Sequence, residues 1–243
     1  LAIVILATIM IALVFLPRLP KTFSSLRRVA AIDAVAEAVR VCAERGRPIC
    51  NSPGAIGVGD ARGSTWTLSS LAYSRFLAEE AGPLRVRILT TCSDAAFTML
   101  VTDAVREGYA TSGHPESFSS SDIYYMPSQP GLGYGTASLC LRERVGAFVG
   151  IGGHWWGSAL PIYEVCANLG ALTIAGEVWP EEAAMSALSV DYLVLPEEAV
   201  AGGAYLSKDL VQWNSIIGID WIKLALVALM MLLVTGLVKI PEG

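Results

Sequence analysis

The chain has 243 residues, of which 53% are hydrophobic and only 16% are charged, whereas about 25% of the residues of an ordinary soluble domain are charged. The net charge of −5 and the scattered basic residues argue against nucleic-acid binding. Five cysteines without a CxxC pair indicate neither a disulfide framework nor a zinc site and fit a reducing compartment. Two histidines are too few for a histidine-rich metal site, and no cofactor is predicted.

The first predicted element is a transmembrane helix at residues 1–16, an uncharged apolar run. At 1.5 Å per residue this run makes roughly 24 Å of helix, a little less than the hydrocarbon core of about 30 Å. Because the chain begins at Leu1 rather than Met, we expect a few further residues upstream. A signal peptide is the alternative, and it fits poorly because Pro17–Lys21 is no small-residue cleavage site. Residues 17–28 then form a basic linker.

Residues 29–210 are expected to form one α/β domain in which helices and strands alternate. Strands are predicted at 47–51, 84–91, 122–126, 146–152, 172–176 and 191–195. Helices are predicted at 29–46, at 65–81, after a cap at Ser93 or Asp94, at 134–144 after a turn at 127–133, at 156–169, from Pro180, and at 197–206. Short apolar strands between helices imply a mostly parallel sheet covered on both faces. The predicted fold is therefore a Rossmann-like three-layer sandwich, with a helix-rich bundle as the alternative.

The last predicted element is a second transmembrane helix at residues 219–240, where Trp221 and Lys223 suit one interface. A buried soluble helix is the alternative. Basic residues are concentrated on the domain side of both spans, whereas the far side carries only Lys239. Because basic residues favour the cytoplasmic side, the domain should face the cytoplasm from the inner (plasma) membrane.

Two glycine-rich segments are candidate ligand-binding loops, because ligands bind such sheets at the carboxyl ends of the strands. The first segment carries Gly54, Gly57 and Gly59, whose backbone amides could hold an anion. Its spacing matches neither the dinucleotide fingerprint nor the phosphate-binding loop, so a flexible connection is the alternative. The second segment contains Gly153, His154 and Trp155, which could supply a base or donor and a stacking surface. A packed turn is its alternative.

A third strand end carries Cys92, Ser93 and Asp94. A helix that begins there would lower the pKa of the Cys92 thiol and make it reactive. The alternative is a helix cap beside a buried thiol. Asp94 completes the candidate ligand-binding set, and no residue is assigned a catalytic role.

Several segments follow one another in a recognisable order, among them AIDAVAEAV at 31–39, RPIC at 47–50, DAVREGYATSGHPESFSSSDIYYMPSQ at 103–129 and VDYLVLPEEAVAGGAYLS at 190–207. Over nearly its whole length the chain thereby resembles an uncharacterised family of bacterial and archaeal two-pass membrane proteins. The resemblance implies a cytoplasmic α/β domain of unknown function. Because that family has no established activity, it implies no catalytic residues.

Two hypotheses for the function follow. The first is a membrane-anchored scaffold whose domain self-associates or holds other membrane proteins at the bilayer; the alternative is a small-ligand sensor or enzyme that uses the crevice at the strand ends. The scaffold is favoured because convergence of the candidate site residues cannot be read from the sequence. We also expect a homo-oligomer. Trp155, Trp156, Trp179 and Trp213 suit an interface, and the small residues Gly202, Gly203 and Ala204 would permit close approach of a neighbouring copy.

Overall fold

The structure, a computed structural model, describes residues 29–54, 64–152, 154, 156–176, 180–208 and 230. Residues Arg27–Ser207 form one compact unit. Leu1–Leu26 and Lys208–Gly243 form a second unit, of which only Lys208 and Met230 are described. The predicted transmembrane helix at 1–16, the linker at 17–28 and all of the span at 219–240 except Met230 lie outside the described residues. Among the residues that are described, no helix is long and apolar enough to cross a membrane.

Helices and strands alternate along the compact unit, as predicted. The strands are β1 (Ile49–Asn51), β2 (Ile88–Cys92), β3 (Ile123–Tyr125), β4 (Ala147–Ile151), β5 (Leu172–Gly176) and β6 (Tyr192–Val194). The helices are α1 (Ala30–Arg45), α2 (Ser64–Leu84), α3 (Ala95–Thr111), α4 (Gln129–Glu143), α5 (Trp156–Leu169), α6 (Pro180–Ser186) and α7 (Pro196–Ser207). Two short 3₁₀ turns, Pro115–Ser117 and Ser120–Asp122, precede β3.

The prediction for the start of α4 was wrong. Residues 127–133 were expected to form a turn, but the helix already begins at Gln129. Ser128 caps it by accepting a hydrogen bond from the Gly131 backbone N–H, and Pro130 lies in the first turn, where no N–H donor is needed. Gly133 then allows close helix packing, because a Cβ there would lie 2.8 Å from Ser158 Cα on α5.

The six strands form one sheet in the order β3-β2-β1-β4-β5-β6, and every neighbouring pair is parallel. The predicted Rossmann-like α/β fold is thus confirmed for the described residues. The chain builds outward from β1 to β3, crosses back through α4, and builds outward in the other direction from β4 to β6. The strand order therefore reverses between β1 and β4, where a crevice opens at the carboxyl edge of such a sheet.

Helices cover the sheet in two groups. Helix α2 packs against α1, α3 and α7, whereas α4 and α6 pack against α5. Between the sheet and the second group lies an apolar core that includes Leu89, Phe148 and Tyr163, each almost fully buried.

The small residues on α7 do not have the predicted intermolecular role. Gly202, Gly203 and Ala204 are buried inside the domain. A Cβ at Gly202 would lie 2.8 Å from Tyr73 Cζ, and one at Gly203 would lie 2.5 Å from Ser69 Cβ, both on α2. These residues permit close packing of two helices of the same chain, so the expectation that they receive a neighbouring copy is wrong.

Candidate functional site

The first residues after β1 and β4 meet at the reversal of strand order. Ser52 extends the β1–β4 ladder, since its backbone N–H donates to the Val149 carbonyl at 2.8 Å. Gly152 lies directly against the loop after β1: a Cβ at this position would come within 2.5 Å of the Pro53 carbonyl carbon and 3.1 Å of Ser70 Oγ. Only glycine therefore fits at residue 152 without moving backbone.

A buried side-chain hydrogen bond joins the same two loops. Ser52 Oγ lies 2.8 Å from His154 Nε2, and both side chains are buried, at 0% and 2% exposure. The Phe148 ring packs edge-on against the imidazole at a centroid distance of 6.3 Å. Sequence alone could assign His154 to either a ligand site or a packed turn. In the structure its side chain forms a hydrogen bond with Ser52 across the point where the strand order reverses.

The Ser52–His154 bond ends a longer chain of hydroxyl groups. Thr136 Oγ1 on α4 donates to Thr91 Oγ1 on β2 at 3.0 Å, and Thr91 Oγ1 donates to Ser52 Oγ at 3.0 Å. Ser52 accepts from Thr91, so its own hydroxyl proton is free to donate to His154 Nε2. The remaining ring nitrogen, Nδ1, is then the one that bonds to the Gly152 backbone. All donors in this chain of hydroxyl groups have acceptors, and the chain links one helix, one strand and the loops after β1 and β4.

Burial lowers the pKa of His154 to about 4, although the bond to the Gly152 backbone acts in the opposite direction. The imidazole is therefore neutral at pH 7, which agrees with its role as acceptor from Ser52. A Ser–His pair at 2.8 Å has the geometry of a nucleophile and its base. However, Ser52 is fully enclosed, and an imidazole with so low a pKa is a weak base. The pair is better suited to fixing the two loops than to catalysis.

The remaining candidate residues fall in different places. Gly54 is described, has a φ of 96° that favours glycine, and follows Pro53 in the loop after β1. Gly57, Gly59, Gly153 and Trp155 lie outside the described residues.

The strand next to β1 ends at Cys92, followed by Asp94. Asp94 caps α3, since its Oδ1 accepts from the Phe97 backbone N–H at 2.7 Å. The suggestion that Cys92 is a reactive thiol is wrong, because burial raises its pKa to about 12. All five cysteines are free and buried, as expected for small apolar side chains.

Sequence reasoning missed Ser52, Thr91 and Thr136 as site residues. Two threonines near the end of the otherwise apolar strand β2 are the signal that was present, since a fully buried strand has little other use for hydroxyl groups. Within the described ranges, no three His, Cys, Asp or Glu side chains are placed to hold a metal ion.

Comparison with known proteins gives a family but no activity. The profile of a family described as a domain of unknown function, DUF6754, matches residues 1–241. The chain belongs to the DUF6754 family. The expectation of an uncharacterised family is thereby confirmed, whereas two-pass topology and a bacterial or archaeal origin stay predictions. Searches of curated proteins and of solved structures found no match to this DUF6754 chain.

Proposed function

We propose that the α/β domain binds a small ligand in the crevice between the loops that follow β1 and β4. One observation carries the proposal: the strand order reverses at this point, and the Ser52–His154 hydrogen bond ties the two loops together across it. Open α/β sheets bind ligands at such a switch point. The main objection to ligand binding, that the candidate residues need not converge, no longer holds for the loops that carry Gly54 and His154.

The chemistry of the crevice favours a ligand held mainly by backbone groups. The loops there carry Gly152, which has no room for a side chain, and Gly54, whose φ of 96° favours glycine, and the neutral His154 adds no positive charge. Nucleotides and nucleosides are the first class to test, by analogy with other sheets of this strand order. The analogy concerns the fold alone, since the spacing of the glycines is not that of the dinucleotide fingerprint.

A thermal-shift screen of the full-length chain in mild detergent tests the proposal, with adenosine, AMP, ADP, ATP, NAD and guanosine nucleotides as probes. A ligand at about 100 times its Kd stabilises the folded state by about 2.7 kcal/mol. For a domain of this size that corresponds to a rise in Tm of roughly 5–10 °C.

Two serine variants separate a loss of binding from a loss of stability. Ser52→Ala breaks the bond between the two loops and should reduce the ligand-induced shift. Ser74→Ala is the matched control. Ser74 lies on α2, where its Oγ accepts a buried hydrogen bond from Asn51 Nδ2 at 3.0 Å, and its loss leaves the bond between the two loops intact. The proposal is wrong if no probe shifts the Tm, or if the two variants reduce the shift equally.

We further propose that the apolar segments at 1–16 and 219–240 anchor this domain in a membrane, with the domain on the cytoplasmic side. The support is the length and composition of the two segments and the basic residues beside them. Protease treatment of intact cells and of inverted membrane vesicles tests the orientation. Cleavage of the domain in intact cells with the outer envelope removed would contradict it.

A scaffold that self-associates at the membrane is the second candidate function. Large apolar side chains are exposed around the edge strand β6: Met185 at 50%, Leu188 at 88%, Tyr192 at 45% and Leu195 at 47%. Exposed apolar side chains at a sheet edge are a common site of protein association. Cross-linking in native membranes should give a ladder that Leu188→Glu shortens and that Met99→Glu, at a 71% exposed position on α3, leaves unchanged. A parent chain that gives no ladder contradicts the scaffold.

A further inference from the structure

A cavity lies at the opposite edge of the sheet, where the strands begin. Its volume is about 360 Å³. Arg47, Arg85 and Arg87 line it together with Glu143, and its apolar wall includes Val86; the other lining residues are Cys42, Ala43, Gly46, Pro48 and Leu84. The cavity thus combines guanidinium groups from the segments before β1 and β2 with an apolar surface.

The charges around this cavity do not cancel. Arg87 is committed to two carboxylates, donating to both oxygens of Asp122 and, at 3.1 Å, to Glu143. Glu143 also accepts from Arg142 at 3.0 Å, so its charge is compensated. Arg47 donates only to the Leu169 carbonyl, at 3.4 Å, and has no ion-pair partner in the described part of the chain. Among the same residues the side chain of Arg85 has neither a hydrogen bond nor an ion pair. A backbone hydrogen bond and the bond to His114 lower the pKa of Glu116 most, and the charge of Arg85 contributes least.

Arg85 also has an unusual backbone conformation. Five helices of the described part are followed by a residue with positive φ: Gly46 at 61°, Gly170 at 63°, Arg85 at 55°, Arg144 at 53° and Lys208 at 53°. Glycine is the usual residue in this position, because a side chain strains the left-handed conformation. Arg85 is thus an arginine without a partner at a strained backbone position on the cavity wall. Arg144 and Lys208 have the same backbone strain but do not line the cavity, so the place of Arg85 on the wall is what distinguishes it.

We propose that this cavity binds a phosphate monoester, with Arg47 and Arg85 on the phosphate and the apolar wall against the esterified group. Two guanidinium groups without ion-pair partners match the double negative charge of a phosphate monoester at neutral pH, and their planar donors match its oxygens. The volume falls in the range of small-molecule sites. The site is distinct from the crevice at the carboxyl edge and does not depend on it.

Arginines at helix ends have a simpler role, which Arg45 illustrates. It donates at 2.6 Å to the Gly170 carbonyl just beyond the end of α5, where a cation complements the helix dipole. Arg85 makes no such bond, so capping of a helix end does not explain it.

Calorimetric titration of the full-length chain in mild detergent at pH 8 tests the proposal, with phenyl phosphate and the water-soluble dihexanoyl phosphatidate as probes. Arg85→Gly should weaken binding at least tenfold while keeping or raising the Tm, because glycine relieves the left-handed residue. Arg144→Gly is the matched control: it removes the same charge from the same backbone conformation, but residue 144 does not line the cavity. Its affinity should equal that of the parent.

Each outcome decides the question. Tighter binding of phenyl phosphate indicates a soluble metabolite, and tighter binding of phosphatidate indicates a lipid headgroup. Either result supports the site if Arg85→Gly weakens the binding of that probe. If the parent binds neither probe at about 10 mM, where the binding free energy would be weaker than about 3 kcal/mol, the proposal is overturned. An equal loss in Arg85→Gly and Arg144→Gly also overturns it, since only the net charge would then matter.

Discussion

Replacement of Gly152 by Ala tests the contact that brings the two candidate loops together. The added Cβ would lie within 2.5 Å of the Pro53 carbonyl carbon, whereas ordinary contacts of Cβ atoms begin at about 3.4 Å. The carbonyl oxygen of Pro53 would lie closer still. Because these atoms are backbone, the loops must separate by more than about 1 Å, and no rotation of a side chain can relieve the contact. Overpacking of this kind costs roughly 1–3 kcal/mol, and the separation also stretches the Ser52–His154 bond, which adds about 1 kcal/mol.

We therefore expect Gly152→Ala to lower the free energy of unfolding by about 3 kcal/mol, or the Tm by roughly 6–12 °C. Gly157→Ala is the matched control. No atom lies within 4 Å of a Cβ at that position near the start of α5, and alanine favours helix over glycine by about 1 kcal/mol. The measurement is thermal unfolding of the full-length chain followed by near-UV circular dichroism. Equal Tm values for the two variants would refute the placement of these loops.

Three further predictions follow from buried groups. Because the pKa of His154 is lowered from 6.5 to about 4, the unfolded chain binds a proton that the folded chain does not; stability should fall by about 3 kcal/mol as the pH drops from about 7 to 4, and His154→Gln should lose that part of the pH dependence in urea titrations. The five buried thiols should resist maleimide until the chain unfolds, as mass spectrometry of the native protein can check; rapid labelling of Cys92 would contradict its raised pKa. Thr136→Val should cost about 1–2 kcal/mol in chemical unfolding, more than the exposed Thr111→Val, because Thr91 loses its donor.

The strands were predictable because their signals are local. Residues 172–176 form an apolar run after a helix-ending glycine, and the predicted and observed bounds of β5 agree. The predicted strand at 84–91 began too early, because α2 continues through Pro83 to Leu84. Proline is usually excluded from the interior of a helix, so the sequence predicted an earlier helix end.

The site was only partly predictable because its geometry is not local. Ser52 and His154 are 102 residues apart, and nothing within either loop indicates that they bond. Their convergence depends on strand order, which follows from how helices pack on the two faces rather than from any one segment. The same applies to Gly202 and Gly203, whose small size suggested a contact between copies and which instead accommodate Tyr73 and Ser69.

Charge by itself identifies neither proposed site. In a parallel sheet the helices begin at the carboxyl edge and end at the amino edge, so acids at helix starts and arginines at helix ends follow from helix polarity. Glu197 and Glu198 in the first turn of α7 and Arg45 in the last turn of α1 fit this rule. The two sites are marked instead by features that helix polarity does not require: a glycine pressed against backbone at one edge, and at the other a cavity lined by two arginines without ion-pair partners.

If these features serve two separate ligands, variants at one edge should not affect binding at the other. Ser52→Ala should leave the affinity for phenyl phosphate unchanged, and Arg85→Gly should leave the nucleotide-induced rise in Tm unchanged, because changes at well-separated sites are usually additive within about 0.5 kcal/mol. Titrations of both variants with both probes measure the four combinations. If one substitution abolishes both responses, the responses report a single binding event or loss of the fold, and the assignment of two sites is wrong.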